Sequence, residues 1–164
     1  MHGLINRSIE AFLRGTYGDA LWQRVCAASG CPAEGFEAML DYPDRLTEAL
    51  ITAAVEVLGK PREVLLEDVG ARLASYENLR RLLRFGGVDF LDFLLSCREL
   101  PDRARLAVPD LDLPRFEVGG IAGNRITLRL PSAWPGYGAL MAGLLRAMAD
   151  DYGALVLIDH AQDP

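Results

Sequence analysis

Apolar residues recur with helical spacing along the first part of the chain. Over 4–13 and again over 21–26 they return every three or four positions, which places them on one face of a helix. Glycines follow both segments, and Gly30 suits the left-handed cap that ends many helices. The pattern therefore predicts two amphipathic helices, the first of which ends in the turn between Gly15 and Gly18.

Further helices are predicted in the middle of the chain. Pro43 and Asp44 suit the start of a third helix, and Gly59 suits its end. Pro61 suits the start of a fourth helix, and residues 78–84 predict a short fifth one. The N-terminal part of the protein is therefore expected to be helical throughout.

The segment VDFLDFLLSCREL, residues 88–100, is strongly apolar. Leu91, Leu94 and Leu95 share one helical face and two phenylalanines broaden it, so we expect a helix that is buried on most sides. A proline inside a helix costs about 3 kcal/mol, because it lacks the N–H group and clashes with the preceding turn. The helix is therefore predicted to end before Pro101, which suits the first turn of the next helix.

The last third of the sequence mixes strand and helix patterns. Two short alternating segments, 115–118 and 125–130, flank the glycine-rich sequence GGIAGN and predict a β-hairpin. Helical spacing returns over 137–152. The apolar run ALVLID at 154–159 then predicts a buried strand.

Length and composition fit one globular domain with its own core. The 164 residues are 51% hydrophobic and carry a net charge of -6. We predict a single domain over 1–164 of the α+β class. In it a helical N-terminal lobe (1–60) packs on a C-terminal lobe (61–164) with a small antiparallel sheet and helices. The acidic excess argues against a nucleic-acid partner, which would need a clustered basic face.

The cysteines and the N-terminus are typical of a cytoplasmic protein. Three cysteines, an odd number without dense spacing, indicate a reducing compartment. Arg7 and Glu10 interrupt the apolar run that a signal peptide would need. No stretch approaches the roughly 18 apolar residues of a membrane span. We therefore expect a cytoplasmic protein without a membrane span.

Candidate catalytic and metal-binding residues are few. The two histidines, His2 and His160, stand at opposite ends of the chain and are expected to be solvated. Cys26 and Cys31 lack the second cysteine pair of a zinc site and are predicted to be buried free thiols. The glycines over 119–123 fit a hairpin turn better than a phosphate loop. No enzyme is predicted, and the apolar composition instead favours a ligand pocket between the lobes.

Three stretches of the sequence follow the order of a known family. Tyr17, Gly18 and Trp22 form a Tyr-Gly-x-x-x-Trp segment, FLDFLLSCREL occupies the middle, and a glycine-bounded helical run spans 143–153. Over nearly its full length the chain resembles the H-NOX (HNOB) family, the heme nitric oxide/oxygen binding domains of bacterial gas sensors and soluble guanylate cyclases. The resemblance implies a heme between the two lobes, nitric oxide or oxygen sensing, and a role in signal transduction.

The resemblance also locates the heme contacts and the places where this sequence departs from them. The axial histidine of the family aligns with Pro101, and its Tyr-x-Ser-x-Arg element aligns with 130–134, where only the serine is kept. Trp134 replaces the arginine, whose guanidinium is suited to grip a carboxylate with two hydrogen bonds. By resemblance, the pocket is lined by Ile5, Leu94, Cys97, Pro101, Pro114, Leu130, Ser132, Trp134 and Leu144.

Two functions remain open at this point. In the first, the domain has lost heme ligation and binds another apolar ligand or a protein partner. In the second, it senses nitric oxide or oxygen through heme on a non-standard axial ligand, either Cys97, one helical turn before Pro101, or more weakly His2. The resemblance implies a histidine kinase or a cyclic-di-nucleotide signalling enzyme as partner. Because the family adds a strand after the position of ALVLID, that strand is expected to be missing here.

Overall fold

The structure, a computed structural model, describes residues 1–107, 113–131 and 134–161. Ser132, a predicted pocket residue, lies outside the described residues. None of the helices in the described ranges is long and apolar enough to cross a bilayer. The elements are α1 (Gly3–Tyr17), α2 (Asp19–Ser29), α3 (Asp44–Leu58), α4 (Arg62–Ala74), α5 (Glu77–Arg84), α6 (Phe90–Ser96), a 3-10 turn (Cys97–Glu99), α7 (Leu100–Ala107), β1 (Glu117–Ala122), β2 (Arg125–Arg129) and α8 (Tyr137–Tyr152).

The first five predicted helices are confirmed, and local sequence sets several of their ends. Gly30 and Gly59 adopt left-handed conformations, with φ of 70° and 64°, and cap α2 and α3. At the start of α1, the Leu4 amide donates a hydrogen bond to Nδ1 of His2 at 3.2 Å. His2 is only 7% exposed, so the expectation of a solvated His2 is wrong, because this side chain caps the helix.

Helices α4 and α8 form the most extensive helix contact in the described part of the chain. Two glycines allow the backbones to approach. A Cβ atom on Gly70 would overlap with the carbonyl of Leu140, and one on Gly143 would overlap with the carbonyl of Glu67. The crossing therefore requires glycine on both helices. Buried apolar side chains of the two helices are Leu65, Leu66, Val69, Leu73, Leu140, Leu144, Leu145 and Met148.

The N-terminal helices extend the same core outward from α4. Helix α1 contacts α2 and α4, and α2 contacts α3, so that one apolar cluster joins them. A buried polar contact also links α1 to α3, where Oγ1 of Thr47 donates to Oδ1 of Asn6 at 2.8 Å. Because the cluster runs through α4, the lobe boundary between residues 60 and 61 stays a prediction.

The predicted hairpin is confirmed, but the division of its residues between strand and loop differs from the prediction. β1 and β2 pair antiparallel, with Ile121 opposite Ile126, and the register shifts between Val118 and Gly120. Most of the sequence expected to form the loop therefore belongs to β1. The connection is a two-residue turn, in which Gly123 takes a positive φ of 57° that favours glycine.

The expectation of a buried strand at 154–159 is wrong. These residues form neither helix nor strand, and Leu155 and Leu157 are fully exposed. A strand needs a neighbour for its backbone hydrogen bonds, and the sheet of the described residues contains only β1 and β2. Gly153 ends α8 in a left-handed conformation, and the apolar run that follows finds no sheet edge.

The central apolar segment is divided more finely than its sequence pattern predicts. Helix α6 has seven residues, the 3-10 turn follows, and α7 begins at Leu100. Phe90 and Phe93 are buried, whereas Leu91 is 47% exposed, so the expectation of burial on most sides is wrong. A helix of two turns presents only one side to the core, which leaves Leu91 facing solvent.

Candidate functional site

Pro101 stands in the first turn of α7 and is buried. The first four amides of a helix have no intrahelical acceptor, so a proline there sacrifices no hydrogen bond. The predicted place of Pro101 in the first turn of a helix is confirmed, whereas the break lies at 97–99 and not directly before the proline. The pyrrolidine ring has no free nitrogen lone pair, and Pro101 therefore cannot coordinate a metal.

Cys97 lies in the 3-10 turn before Pro101 and is fully buried. Its thiol donates a hydrogen bond to the carbonyl of Phe93 at 3.4 Å. Burial raises the pKa of Cys97 to about 12, although the charge of Arg103 acts in the opposite direction. The side chain is therefore a neutral thiol at physiological pH.

The predicted apolar pocket residues gather at one core. One residue of the predicted set, Pro114, lies on the segment before β1, where it is half-buried. This core runs through the described part of the chain, so membership in it does not define a pocket. Ile5, Cys97 and Leu144 belong to its buried part, and Leu94, Leu130 and Trp134 pack against it.

Trp134 is held by a carboxylate. Its indole Nε1 donates to Oε1 of Glu48 at 2.6 Å, and the Arg62 guanidinium donates to the same oxygen at 2.9 Å. The indole also meets the Tyr137 ring edge to face, with centroids 5.0 Å apart. Sequence reasoning does not find Glu48, because it stands 86 positions from Trp134 and only folding brings the two together.

The charge state of Glu48 follows from its partners. Burial acts to raise the pKa of Glu48, but the hydrogen bonds from Arg62 and Trp134, together with the Arg62 charge, outweigh it and lower the pKa below 4.5. Glu48 is therefore an anion at neutral pH. Its contribution to stability is present above the ordinary pKa and is lost as the pH falls through the lower folded value.

Replacing Trp134 with Phe is expected to lower the free energy of unfolding by about 1 kcal/mol at pH 7. Phenylalanine keeps an aromatic ring beside Tyr137 but cannot donate to Glu48. Urea unfolding followed by circular dichroism measures the difference. We expect it to shrink in acid, where protonation of Glu48 weakens the same bond. An equal deficit at neutral and acid pH would show that ring packing, not the hydrogen bond, is responsible.

Two open depressions lie on the surface around α5. Arg80 and Asp151 line one of them, and Arg98 lines the other, with Arg84 and Phe85 contributing to both. Neither depression is lined by a predicted pocket residue. Both have charged walls, so neither is the apolar site that the sequence predicts.

His160 is half-buried, and its Nε2 lies 3.5 Å from Oε1 of Glu67. Glu67 in turn pairs with Arg146 of α8, so His160 stands at the edge of a charged cluster. In the described ranges, no three residues among histidine, cysteine, aspartate and glutamate form a group that could hold a metal ion. His160 is therefore best explained as a structural residue at the end of the fold.

The architecture is that of the H-NOX proteins. An unliganded Fe(II) H-NOX mutant from K. algicida superposes with a TM-score of 0.79 at 17% identity, covering 93% of this chain and 84% of that one. An oxygen-binding H-NOX domain related to soluble guanylate cyclases superposes with a TM-score of 0.72 at 18% identity, covering 93% and 81%. These similarities confirm the predicted H-NOX-like α+β fold.

The sequence family agrees with the fold. The model of the Haem-NO-binding (HNOB) family matches residues 2–160, and the chain belongs to that family. The soluble guanylate cyclase gcy-31 of Caenorhabditis elegans is 26% identical over 155 residues, covering 92% of this chain and 22% of the cyclase. The chain thus spans less than a quarter of the length of that relative.

Proposed function

We propose that this chain is an H-NOX-type sensor or ligand-binding module of a bacterial signalling system that has lost the axial heme ligation of its family. In place of heme it binds another apolar ligand or a protein partner. One observation carries the proposal, namely the burial of Pro101, which stands at the position that the family resemblance assigns to the axial histidine. A side chain without a lone pair cannot replace the iron-nitrogen bond through which a proximal histidine holds heme.

The aligned propionate contacts support the same proposal. Leu130 offers no hydroxyl, and the Trp134 indole already donates to Glu48. Glu48 is an anion, and a carboxylate repels the carboxylates of heme rather than attracting them. The nearby cation Arg62 is paired with Glu48 at 2.9 Å. The residues present therefore do not fit a heme held in the family's manner.

The alternative axial ligand, Cys97, has less in its favour. Iron binds the thiolate form of cysteine, whereas burial raises the pKa of Cys97 to about 12. Its proton is also engaged with the Phe93 carbonyl. The other candidate, His2, uses one ring nitrogen as a helix cap. Heme ligation by Cys97 would have to break its hydrogen bond to the Phe93 carbonyl. Nε2 of His2 has no hydrogen-bond partner among the described residues, but the side chain is only 7% exposed.

The identity of the relatives suggests the kind of protein that this domain binds. The matched relative is a guanylate cyclase, a signalling enzyme in which the part that resembles this chain is a minor fraction of the length. We propose that this domain likewise regulates a signalling enzyme, such as a histidine kinase or a cyclic-di-nucleotide enzyme, in the cytoplasm. The domain itself is proposed to be non-catalytic, with lobes at 1–60 and 61–164 that shift relative to each other.

Titration of the purified protein with hemin tests the proposed loss of heme. We expect the visible spectrum to show no saturable Soret band at one heme per chain, and no band shift when nitric oxide is added. Without an axial ligand, heme is left with nonspecific apolar contacts. A stoichiometric Soret band that shifts with nitric oxide would overturn the proposal.

Two controls make the titration decisive. A family member that keeps the axial histidine, titrated in parallel, shows that the hemin and the gas are competent. If a band forms on this protein, the Cys97→Ala variant identifies the ligand, because loss of the band assigns it to the thiolate. Native mass spectrometry of the protein taken directly from expression then tests for another bound apolar molecule.

A further inference from the structure

Cys26 and Cys31 bring their sulfur atoms within 2.6 Å of each other. Two sulfur atoms this close can form a disulfide bond with little movement of the backbone. Both residues are buried, with 5% and 8% of their surface exposed. Neither residue is among the positions that the family resemblance assigns to the pocket.

The local backbone fixes this approach. Cys26 occupies the last turn of α2, and its carbonyl accepts the amide of Gly30 at 2.9 Å. The left-handed Gly30 then reverses the chain, and the Cys31 amide donates to Oγ of Ser29 at 3.3 Å. The C-terminal cap of α2 therefore fixes the positions of the two thiols relative to each other.

The two thiols form a short chain of hydrogen bonds. The Cys31 thiol donates to the Cys26 sulfur, and the Cys26 thiol donates to the carbonyl of Pro32 at 3.7 Å. Across the described ranges, no third histidine, cysteine or carboxylate completes a metal-binding group around the pair. Zinc in structural sites takes four such ligands, so two sulfurs alone favour oxidation chemistry over metal binding.

We propose that Cys26 and Cys31 are a modification site that forms a reversible intramolecular disulfide, with a hydroperoxide as the oxidant. Burial raises the pKa of Cys26 to about 12, as it does for Cys97, so the close approach of a second sulfur and not thiolate character distinguishes this pair. One thiol gives up its proton as it attacks a peroxide oxygen, which breaks the O–O bond, releases water and leaves a sulfenic acid. The second sulfur then attacks the sulfenic sulfur, the S–S bond forms, and water leaves. With hydrogen peroxide, two thiols are oxidised to one disulfide and one peroxide is reduced to two waters.

Burial of the two sulfurs favours a small oxidant. The contact between the following segment and α1 connects the disulfide to the N-terminal core. Because both sulfurs are nearly covered, a hydroperoxide reaches them more readily than a bulky disulfide reagent. The segment after Cys31 carries Phe36, whose amide donates to Glu10 of α1 at 2.9 Å. A disulfide would therefore tie α2 to the segment that packs on α1.

Peptide mass spectrometry tests the site on the intact protein. The folded chain is exposed to hydrogen peroxide, then unfolded, alkylated with iodoacetamide and digested with trypsin. Both cysteines fall in one peptide, 25–45, and Cys97 falls in another, 85–98. We expect the first peptide to lose both alkylation sites and two hydrogen atoms. Dithiothreitol should restore both sites, while Cys97 stays alkylatable throughout.

Variants identify the partners and the outcomes that would overturn the site. Cys31→Ser removes one partner, so the peptide should keep a single sulfur that dimedone traps as sulfenic acid. Cys97→Ser is the matched control, and should leave disulfide formation unchanged. If both thiols of 25–45 remain alkylatable, or if Cys97 oxidises as fast as they do, the proposal is wrong. Circular dichroism during the exposure confirms that the protein stays folded.

Discussion

A variant carrying Pro101→His, Leu130→Tyr and Trp134→Arg is expected to bind one heme per chain, whereas we expect no stoichiometric binding by the unaltered protein. The three changes restore the side chains that the family resemblance assigns to the axial bond and the propionates. The backbone of this chain superposes on an Fe(II) H-NOX structure over 93% of its length. Hemin titration of the Soret band measures the gain.

The axial substitution is compatible with the local structure. In the first turn of α7 the added amide of a histidine needs no intrahelical acceptor. The imidazole would be buried, which costs free energy unless a partner is present, and iron supplies that partner. We therefore expect the variant to be less stable without heme and to regain stability with heme bound. Thermal unfolding with and without hemin measures this difference.

The propionate substitutions depend on Glu48. An arginine at 134 would stand beside this carboxylate and pair with it before reaching a propionate. Adding Glu48→Gln to the three changes removes that competition, and we expect tighter heme binding as a result. The same set with Pro101→Ala in place of histidine is the matched control, which should show no axial ligation. A folded variant that takes up no heme would mean that the aligned positions do not share one pocket.

Gly143→Ala is expected to destabilise the protein by about 3 kcal/mol or more. The new methyl group would overlap with the backbone carbonyl of Glu67 on α4, and a backbone atom cannot rotate away as a side chain does. The helices must separate, which loosens the apolar contact between them. Since small domains are stable by only about 5–15 kcal/mol, urea unfolding should show a large fall in the transition midpoint.

Gly15→Ala is the matched control for this change. Gly15 lies in α1, and an added Cβ would approach only the Arg72 guanidinium, at 3.7 Å, an ordinary contact distance. Alanine is the better helix former, so this variant should gain up to about 1 kcal/mol. If both variants change stability by the same amount, helix propensity and not the α4–α8 crossing would govern the effect.

Local sequence signals predict most of the helices. Left-handed glycines end α2 and α3 where the sequence places them, since that conformation is cheap only for glycine. Pro101 stands in the first turn of α7 for an equally local reason, because its ring fixes φ and the N–H group that it lacks is not needed there. These features depend on residues a few positions apart, and they can therefore be predicted from the sequence alone.

Apolar runs without a periodic pattern are predicted less well. ALVLID has the composition of a buried strand, yet the described residues provide no strand beside it. In the same way, the apolar segment at 88–100 does not reveal that its helix is short and one-sided. Burial depends on a neighbour that lies far away in sequence, and a local pattern carries no information about that neighbour.

The sequence by itself determined the helical periods, the caps, the family order of the motifs and the proline at the position that the family resemblance assigns to the axial ligand. Each of these is a property of nearby residues or of residue identity. Only the tertiary structure decided that Glu48 holds Trp134, that two glycines let α4 and α8 touch, and that the sulfurs of Cys26 and Cys31 meet. The first two depend on groups that folding alone brings together. The last depends on the turn at Gly30, which brings Cys31 back beside the last turn of α2, and residue spacing does not specify that approach.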